Sequence, residues 1–335
     1  MGTVLAVVCP GQGSQTPGMF APWLEVAGVA EQLDRLSHAA GTDLTAHGTT
    51  SDAETIRDTA VAQPLLVAAS LVSFRALLAG VDAATAADVV DVTAGHSVGE
   101  LSAAAVAGVL TDDDAVGLVS HRARFMAEAA AATPSGMAAV VGGDPDEVAA
   151  AIEAAGLWPA NVNGGGQVVA AGAPENLERL AANPPARARV IPLQVAGAFH
   201  TRFMDSARDA FTPVATGWTA QDPSLTLLSN ADGASYATIG ATGSGTGATG
   251  HGSAADVLSR LAAQVVAPVR WDLCQATLLE LGVTGLVELA PAGVLTGLAR
   301  RTLKGVETVA VKTPEDLDAA RDLVARHSSR AGTAA

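Results

Sequence analysis

Cysteine is nearly absent: Cys9 and Cys274 are the only two in 335 residues, too far apart to form a disulfide framework. No Cys/His spacing matches a metal site, so no metal is expected. Aromatic residues make up 3% of the chain, and 19 basic side chains stand against 34 acidic ones, a formal net charge of −15. That balance excludes nucleic acid and an anionic membrane surface as partners. No apolar run reaches the roughly 18 residues, free of charge and turn signals, that a membrane span needs. The start, MGTVLAVVCPG, is apolar but has no basic leader and runs straight into a glycine turn, so it reads as a first strand rather than a signal peptide. Gly2 does not make a myristoylation site, because Ala6 stands where Ser or Thr is required. The chain reads as soluble and cytoplasmic.

What is abundant is apolar and small. Hydrophobic residues are 49% of the chain and glycines number 35, enough for one large core or a large domain carrying a smaller one. The stretch Val89–Ala105 is the organising one: a β-branched run, then Gly95-His96-Ser97-Val98-Gly99, then a helix-forming run. Strand, sharp turn and helix are the context in which G-x-S-x-G acquires meaning, because a strained serine needs nearly side-chain-free neighbours two residues away on each side. Ser97 Oγ is then expected at the C-terminal end of a strand, with the free N–H of Val98 aimed at any oxyanion. In a chain this rich in glycine the same letters also fit an ordinary strand-to-helix turn.

Thr3–Cys9 reads as a strand buried on both faces. It ends in Pro10-Gly11-Gln12-Gly13-Ser14-Gln15, a loop open to close ligand approach or a simple turn; without G-K-[ST] it does not bind nucleotides. Helices are expected over 28–40 and 62–78, and another begins at Asp112-Asp113-Asp114. In that third helix Val116, Val119, Ala123 and Met126 share one face, with Arg122 beside the stripe. A guanidinium near an apolar face must find an anion, either an internal Asp or Glu or a substrate carboxylate. From about Ser135 the pattern becomes strand (137–141), helix (144–155), two strands about a glycine turn (160–171), helix (174–182) and strand (188–195). This β-α-β-β-α-β order is ferredoxin-like and inserted, since α/β patterning resumes afterwards with strands near 225–229, 285–289 and 307–311. Asn161 and Asn163 fall on one strand face, lining a cleft or merely an edge. Of seven histidines, His200 follows the insertion among small and apolar residues and is the leading base for Ser97, whereas His96 is badly placed to reach that hydroxyl and His47 falls in a polar loop. The Gly/Thr-rich stretch 239–253 reads as a mobile loop and the residues after His327 as disordered.

Six motifs in register then carry a resemblance: PGQGSQ (10–15), GHSVGE (95–100), HRARFM (121–126), NVN (161–163), GAFH (197–200) and QVVAPVRW (264–271). Over about residues 3–312 the chain resembles the malonyl-CoA:acyl carrier protein transacylases, the free-standing relatives of the acyltransferase domains of fatty acid and polyketide synthases. The resemblance implies an α/β fold, with an α/β-hydrolase-like large domain (1–133 and 196–330), an inserted ferredoxin-like subdomain (134–195) and a disordered tail (331–335). It implies Ser97 as nucleophile, His200 as general base and acid, and Arg122 as the ligand of the malonyl carboxylate. Gln12 and Val98 become the oxyanion donors, and Gln264 the residue whose main-chain carbonyl orients the histidine. Asn163 corresponds to a polar residue near the entrance, and Val98 with Phe199 to malonyl rather than methylmalonyl selection. Cys9 departs mildly from the family, which often has Phe there.

The expected reaction is transfer of malonyl from malonyl-CoA to the phosphopantetheine thiol of acyl carrier protein, with no cofactor. An acidic carrier protein would dock on a local basic patch, either Arg300, Arg301 and Lys304 or Arg187 and Arg189. A serine esterase or thioesterase, which has no need of Arg122, and a non-catalytic acyl-CoA or carrier-protein binding module are the competing readings.

Overall fold

The computed structural model describes residues 2–81, 85–236 and 253–329. The chain opens on β1 (Leu5–Cys9), passes through α1 (Val29–Ala40), α2 (Leu44–Thr49) and α3 (Thr59–Leu78), and returns in β2 (Val92–Gly95). Helices α4 (Gly99–Val106) and α5 (Asp112–Ala132) follow. Next come β3 (Gly136–Gly142), α6 (Pro145–Ala154), β4 (Trp158–Gly164), β5 (Gln167–Gly172), α7 (Pro174–Ala182) and β6 (Ala188–Pro192). The last third holds α8 (Asp205–Thr216), β7 (Thr226–Leu228), β8 (Ser235–Tyr236), α9 (Ala254–Ala263), β9 (Val269–Arg270) and α10 (Trp271–Glu280). It ends with β10 (Gly285–Glu288), α11 (Val294–Thr302), β11 (Glu307–Ala310) and α12 (Leu317–His327).

Two sheets result. The first has the order β11-β10-β1-β2-β7-β8, parallel except for the short antiparallel β8. Its central strand β1 is buried at all five residues, as a continuous apolar run between helical layers must be. The register of β1 on β2 sets Cys9 opposite Gly95, so the loops leaving the two strands emerge side by side at their C-terminal ends. That is where open α/β sheets bind ligands. The second sheet has the order β6-β3-β5-β4-β9, with antiparallel neighbours except at β4–β9. Strand β9 comes from the last third of the chain, so the small sheet reaches beyond residues 134–195, a strand that the sequence reading did not foresee.

Several expectations need correction. Helix α3 begins at Thr59, three residues before the expected start, because the Asp58 side chain accepts the N–H of Ala60 and caps it. Pro64 lies inside this helix and has no N–H to offer the Ala60 carbonyl. By length and composition α3 qualifies as a membrane-crossing helix, contrary to the sequence reading, yet 83% of its most apolar window is buried inside the protein. It is a core helix apolar on all sides. His47 belongs to α2 rather than to a loop, and β6 ends at Pro192 rather than at residue 195. Ser328 and Ser329 pack back on the fold: the Ser328 N–H closes on Val324 and Ser329 donates from both its N–H and its hydroxyl to Asp91. The proposed tail 331–335 and the loop 239–253 lie outside the described residues, except Ser253, whose hydroxyl caps α9.

Candidate active site

The serine turn is built by exclusion. Ser97 has φ 54°, a left-handed conformation rare for a residue with a side chain. A Cβ on Gly95 would stand 1.9 Å from the carbonyl oxygen of Gly99, and one on Gly99 would stand 2.2 Å from that of Cys9. Only glycine fits at either place. The turn is tied down by Asn230, whose Oδ1 accepts the Ser97 N–H at 2.8 Å and whose Nδ2 donates to Gly95 O at 2.7 Å. Sequence reasoning missed Asn230, which follows β7 and looks like any loop asparagine.

His200 also has positive φ, 62°, and is 3% exposed. Its Nε2 lies 2.7 Å from Ser97 Oγ and its Nδ1 2.8 Å from the main-chain oxygen of Gln264. A carbonyl oxygen only accepts, so Nδ1 carries the proton and Nε2 is free to take one from the hydroxyl. Burial, reinforced by the neighbouring Arg122 charge, pushes the imidazole down to about 3, which keeps it neutral at physiological pH. No carboxylate hydrogen-bonds this ring among the described residues.

Arg122 is 1% exposed on α5. Its Nη1 donates to Gln63 Oε1 at 2.6 Å and its Nη2 to Gln264 Oε1 at 2.9 Å, while its buried Nε has no partner among the described residues. The internal ion pair left open by the sequence is therefore replaced by two amide oxygens. Burial pulls the guanidinium down to about 10, still charged, and the Coulombic partner opposing that shift is Glu100.

Ser97, His200, Gln12, Val98, Asn163 and Phe199 line one cavity of about 190 Å³, and so does Gln63. Arg122 is not in the wall; Gln63, which it donates to, is. Neither the Val98 nor the Gln12 main-chain N–H has a protein acceptor among the described residues. Asn163 accepts from His96 Nε2 at 2.8 Å and donates to Gln167 at 3.0 Å, so it lines the cavity as part of a polar chain. His96 turns toward Asn163 and makes a T-shaped contact with Trp271. Gln63 and Glu100 join Asn230 as site residues found only in the structure; Glu100 lay inside a quoted motif but gave no sign of its burial. Arg300, Arg301, Lys304, Arg187 and Arg189 are all exposed, the first three at the end of α11 and just after it, Arg187 just before the edge strand β6 and Arg189 on it.

The acyl transferase domain family matches residues 6–321. The malonyl CoA-acyl carrier protein transacylase of Mycobacterium tuberculosis is 49% identical over 320 residues, covering 94% of this chain and 98% of the relative. A crystal structure of MCAT from the same organism superposes with a TM-score of 0.84 over 94% of this chain and 99% of that one. A malonyl-transacylase solved in complex with its type II PKS acyl-carrier protein, 30% identical, gives 0.83 over 96% and 99%. With a serine–imidazole pair at the head of a parallel sheet and a family match over nearly its whole length, the chain belongs to the acyl transferase family and, within it, to the malonyl-CoA:acyl carrier protein transacylases.

Proposed function

We propose that this protein transfers malonyl from CoA to the phosphopantetheine thiol of acyl carrier protein through a malonyl ester on Ser97. The observation that carries it is the 2.7 Å contact between Ser97 Oγ and a neutral, carbonyl-anchored His200. In the first stage the Ser97 proton passes to His200 Nε2 as Oγ bonds to the thioester carbon. The N–H groups of Val98 and Gln12 receive the oxyanion. The C–S bond then breaks, His200 returns the proton to the CoA sulfur, and the ester remains. In the second stage the carrier thiol loses its proton to His200 and attacks the ester carbonyl; the Ser97 oxygen leaves and recovers the proton. No cofactor is needed, since CoA and the pantetheine arm are substrates.

Arg122 is assigned to the malonyl carboxylate, which takes the place of Gln63 Oε1 at Nη1. Because Gln63 forms part of the cavity wall, its displacement opens the guanidinium to the substrate. Phe199 and Val98 bound the acyl group. Asn163 holds the entrance side through His96 and Gln167.

The large sheet and its helices are read as an α/β-hydrolase-like domain (1–133 and 196–330) and the small sheet as a ferredoxin-like subdomain (134–195). The β-α-β-β-α-β order with antiparallel neighbours β6-β3-β5-β4 supports the second reading. The carrier protein is assigned to Arg300, Arg301 and Lys304 in preference to Arg187 and Arg189. Val294, Leu295 and Leu298 of α11 line the cavity, and Arg301 follows Leu298 by about 4.5 Å of helix rise. A cytoplasmic location agrees with a CoA thioester donor and a carrier-protein thiol acceptor.

The test is CoA release from malonyl-CoA with and without holo acyl carrier protein. Transfer to the carrier much faster than hydrolysis is expected; equal rates would favour an esterase.

A further inference from the structure

Glu100 closes the GHSVGE motif, and none of the steps above uses it. It sits in the first turn of α4, where an acidic side chain is ordinarily solvated near the helix N-terminus, yet it is 2% exposed. Both its oxygens are engaged. Oε1 accepts the main-chain N–H of Asn230 at 3.0 Å, and Oε2 accepts from Gln264 Nε2. The other end of that amide, Gln264 Oε1, accepts from Arg122 Nη2, and Nε2 also reaches the Ser97 carbonyl at 3.0 Å.

We propose that Glu100 is a positioning residue for acyl selectivity, which fixes the end of the Gln264 amide that faces Arg122. The proposal rests on the reading that Arg122 takes the malonyl carboxylate. An amide is nearly symmetric in shape, so its orientation is decided by the donors and acceptors around it. Glu100, together with the Ser97 carbonyl, presents acceptors to the NH2 end, which turns the oxygen toward the guanidinium. It also supplies the negative charge that opposes Arg122 without touching it. The intervening amide keeps the carboxylate off the guanidinium, so a substrate carboxylate does not have to break an ion pair.

Only an ionised carboxylate accepts on both oxygens. In Glu100→Gln one of the two contacts must face a donor with a donor. The Asn230 N–H belongs to the main chain and cannot turn, so the new amide oxygen goes there and the new NH2 faces Gln264. Gln264 then turns, giving up the Ser97 carbonyl as well, and Arg122 Nη2 loses its acceptor. The serine turn, held by the Asn230 side chain, is kept.

Protonating Glu100 removes its charge and part of its acceptor capacity, and so weakens its hold on the Gln264 amide. Burial raises this carboxyl to about 7, although Asn230, Gln264, Arg122 and the Ser229 hydroxyl all oppose the rise. Tyr236 of β8 and Cys274 of α10 also face Glu100, and burial pushes both upward, so both stay neutral. Among these groups Arg122 is the charged one. His200 titrates far lower, so it does not supply a transition near pH 7.

The experiment compares kcat/KM for malonyl-CoA and acetyl-CoA in the full chain and in Glu100→Gln. The wild-type ratio is also followed from about pH 5.5 to 8.5, where ionisation of CoA cancels between the two substrates. The variant is expected to lose roughly tenfold or more with malonyl and less than about threefold with acetyl, the size of a lost hydrogen bond to a charged group. The wild-type ratio should fall toward acid with a midpoint near pH 7. Equal losses with both substrates, or none, would overturn the assignment. If the variant does not fold, the wild-type ratio decides, and a flat ratio overturns it. Failure of the underlying reading looks different: the wild type would not prefer malonyl at any pH.

Discussion

Arg122 and His200 are held by the same residue: Gln264 accepts Arg122 Nη2 on its side-chain oxygen at 2.9 Å and His200 Nδ1 on its main-chain oxygen at 2.8 Å. The group assigned to recognise the acyl chain and the group assigned to move the proton therefore share one support. Gln264 directly follows α9, and its own N–H closes on Arg260, so the shared support is anchored to a helix end.

Arg122→Ala should reduce malonyl transfer by roughly 2–5 kcal/mol in kcat/KM, as expected when one member of a buried charge pair is truncated. Transfer of acetyl should change much less. Parallel steady-state assays with the two CoA thioesters check this; equal losses would remove the carboxylate assignment.

Gly95→Ala and Gly99→Ala should each destabilise the fold by about 3 kcal/mol or more and suppress acylation, because backbone atoms stand within 2.2 Å of both new Cβ positions. Urea unfolding followed by circular dichroism gives the stability term. A neutral result at either position would mean that the turn is looser than described.

How much of this was legible in the sequence varies with distance along the chain. The serine turn is local, with five consecutive residues and their flanks containing the whole constraint, and Arg122 and His200 stand in motifs that resemble a known family. Gln63, Glu100 and Asn230 acquire their roles only across 59, 164 and 133 residues, in contacts to Arg122, Gln264 and Ser97 respectively. An acidic residue in a first helical turn and an asparagine in a loop each have an ordinary surface explanation. Strand β9 was missed for a similar reason: two residues pairing with β4, more than 100 positions upstream, have no periodicity to read.

His200 gives the stability curve a definite sign. Its pKa in the folded protein lies below the usual 6.5, so the unfolded chain binds more protons between about pH 6.5 and 3. The stabilising contribution of the neutral ring is present above pH 6.5 and is lost as pH falls through that window. Relative to wild type, His200→Gln should therefore gain roughly 2 kcal/mol on going from about pH 7 to pH 4.5. Urea melts at the two pH values test this, and a pH-independent difference would contradict it.

Charge reversal of Arg300, Arg301 and Lys304 together should raise the KM for acyl carrier protein several-fold and leave the first half-reaction with malonyl-CoA unchanged. The effect should weaken as salt is added. The same reversal at Arg187 and Arg189 should do less. Unchanged KM in the first variant would remove the α11 cluster as the docking surface.

Intact-mass spectrometry of the full chain after mixing with malonyl-CoA tests the central assignment most directly. Wild type should gain the mass of one malonyl group, lose it when holo acyl carrier protein is added, and carry it at Ser97 on peptide mapping. Ser97→Ala should gain nothing. An adduct that persists in Ser97→Ala, or no adduct in wild type while CoA is still released, would contradict the account.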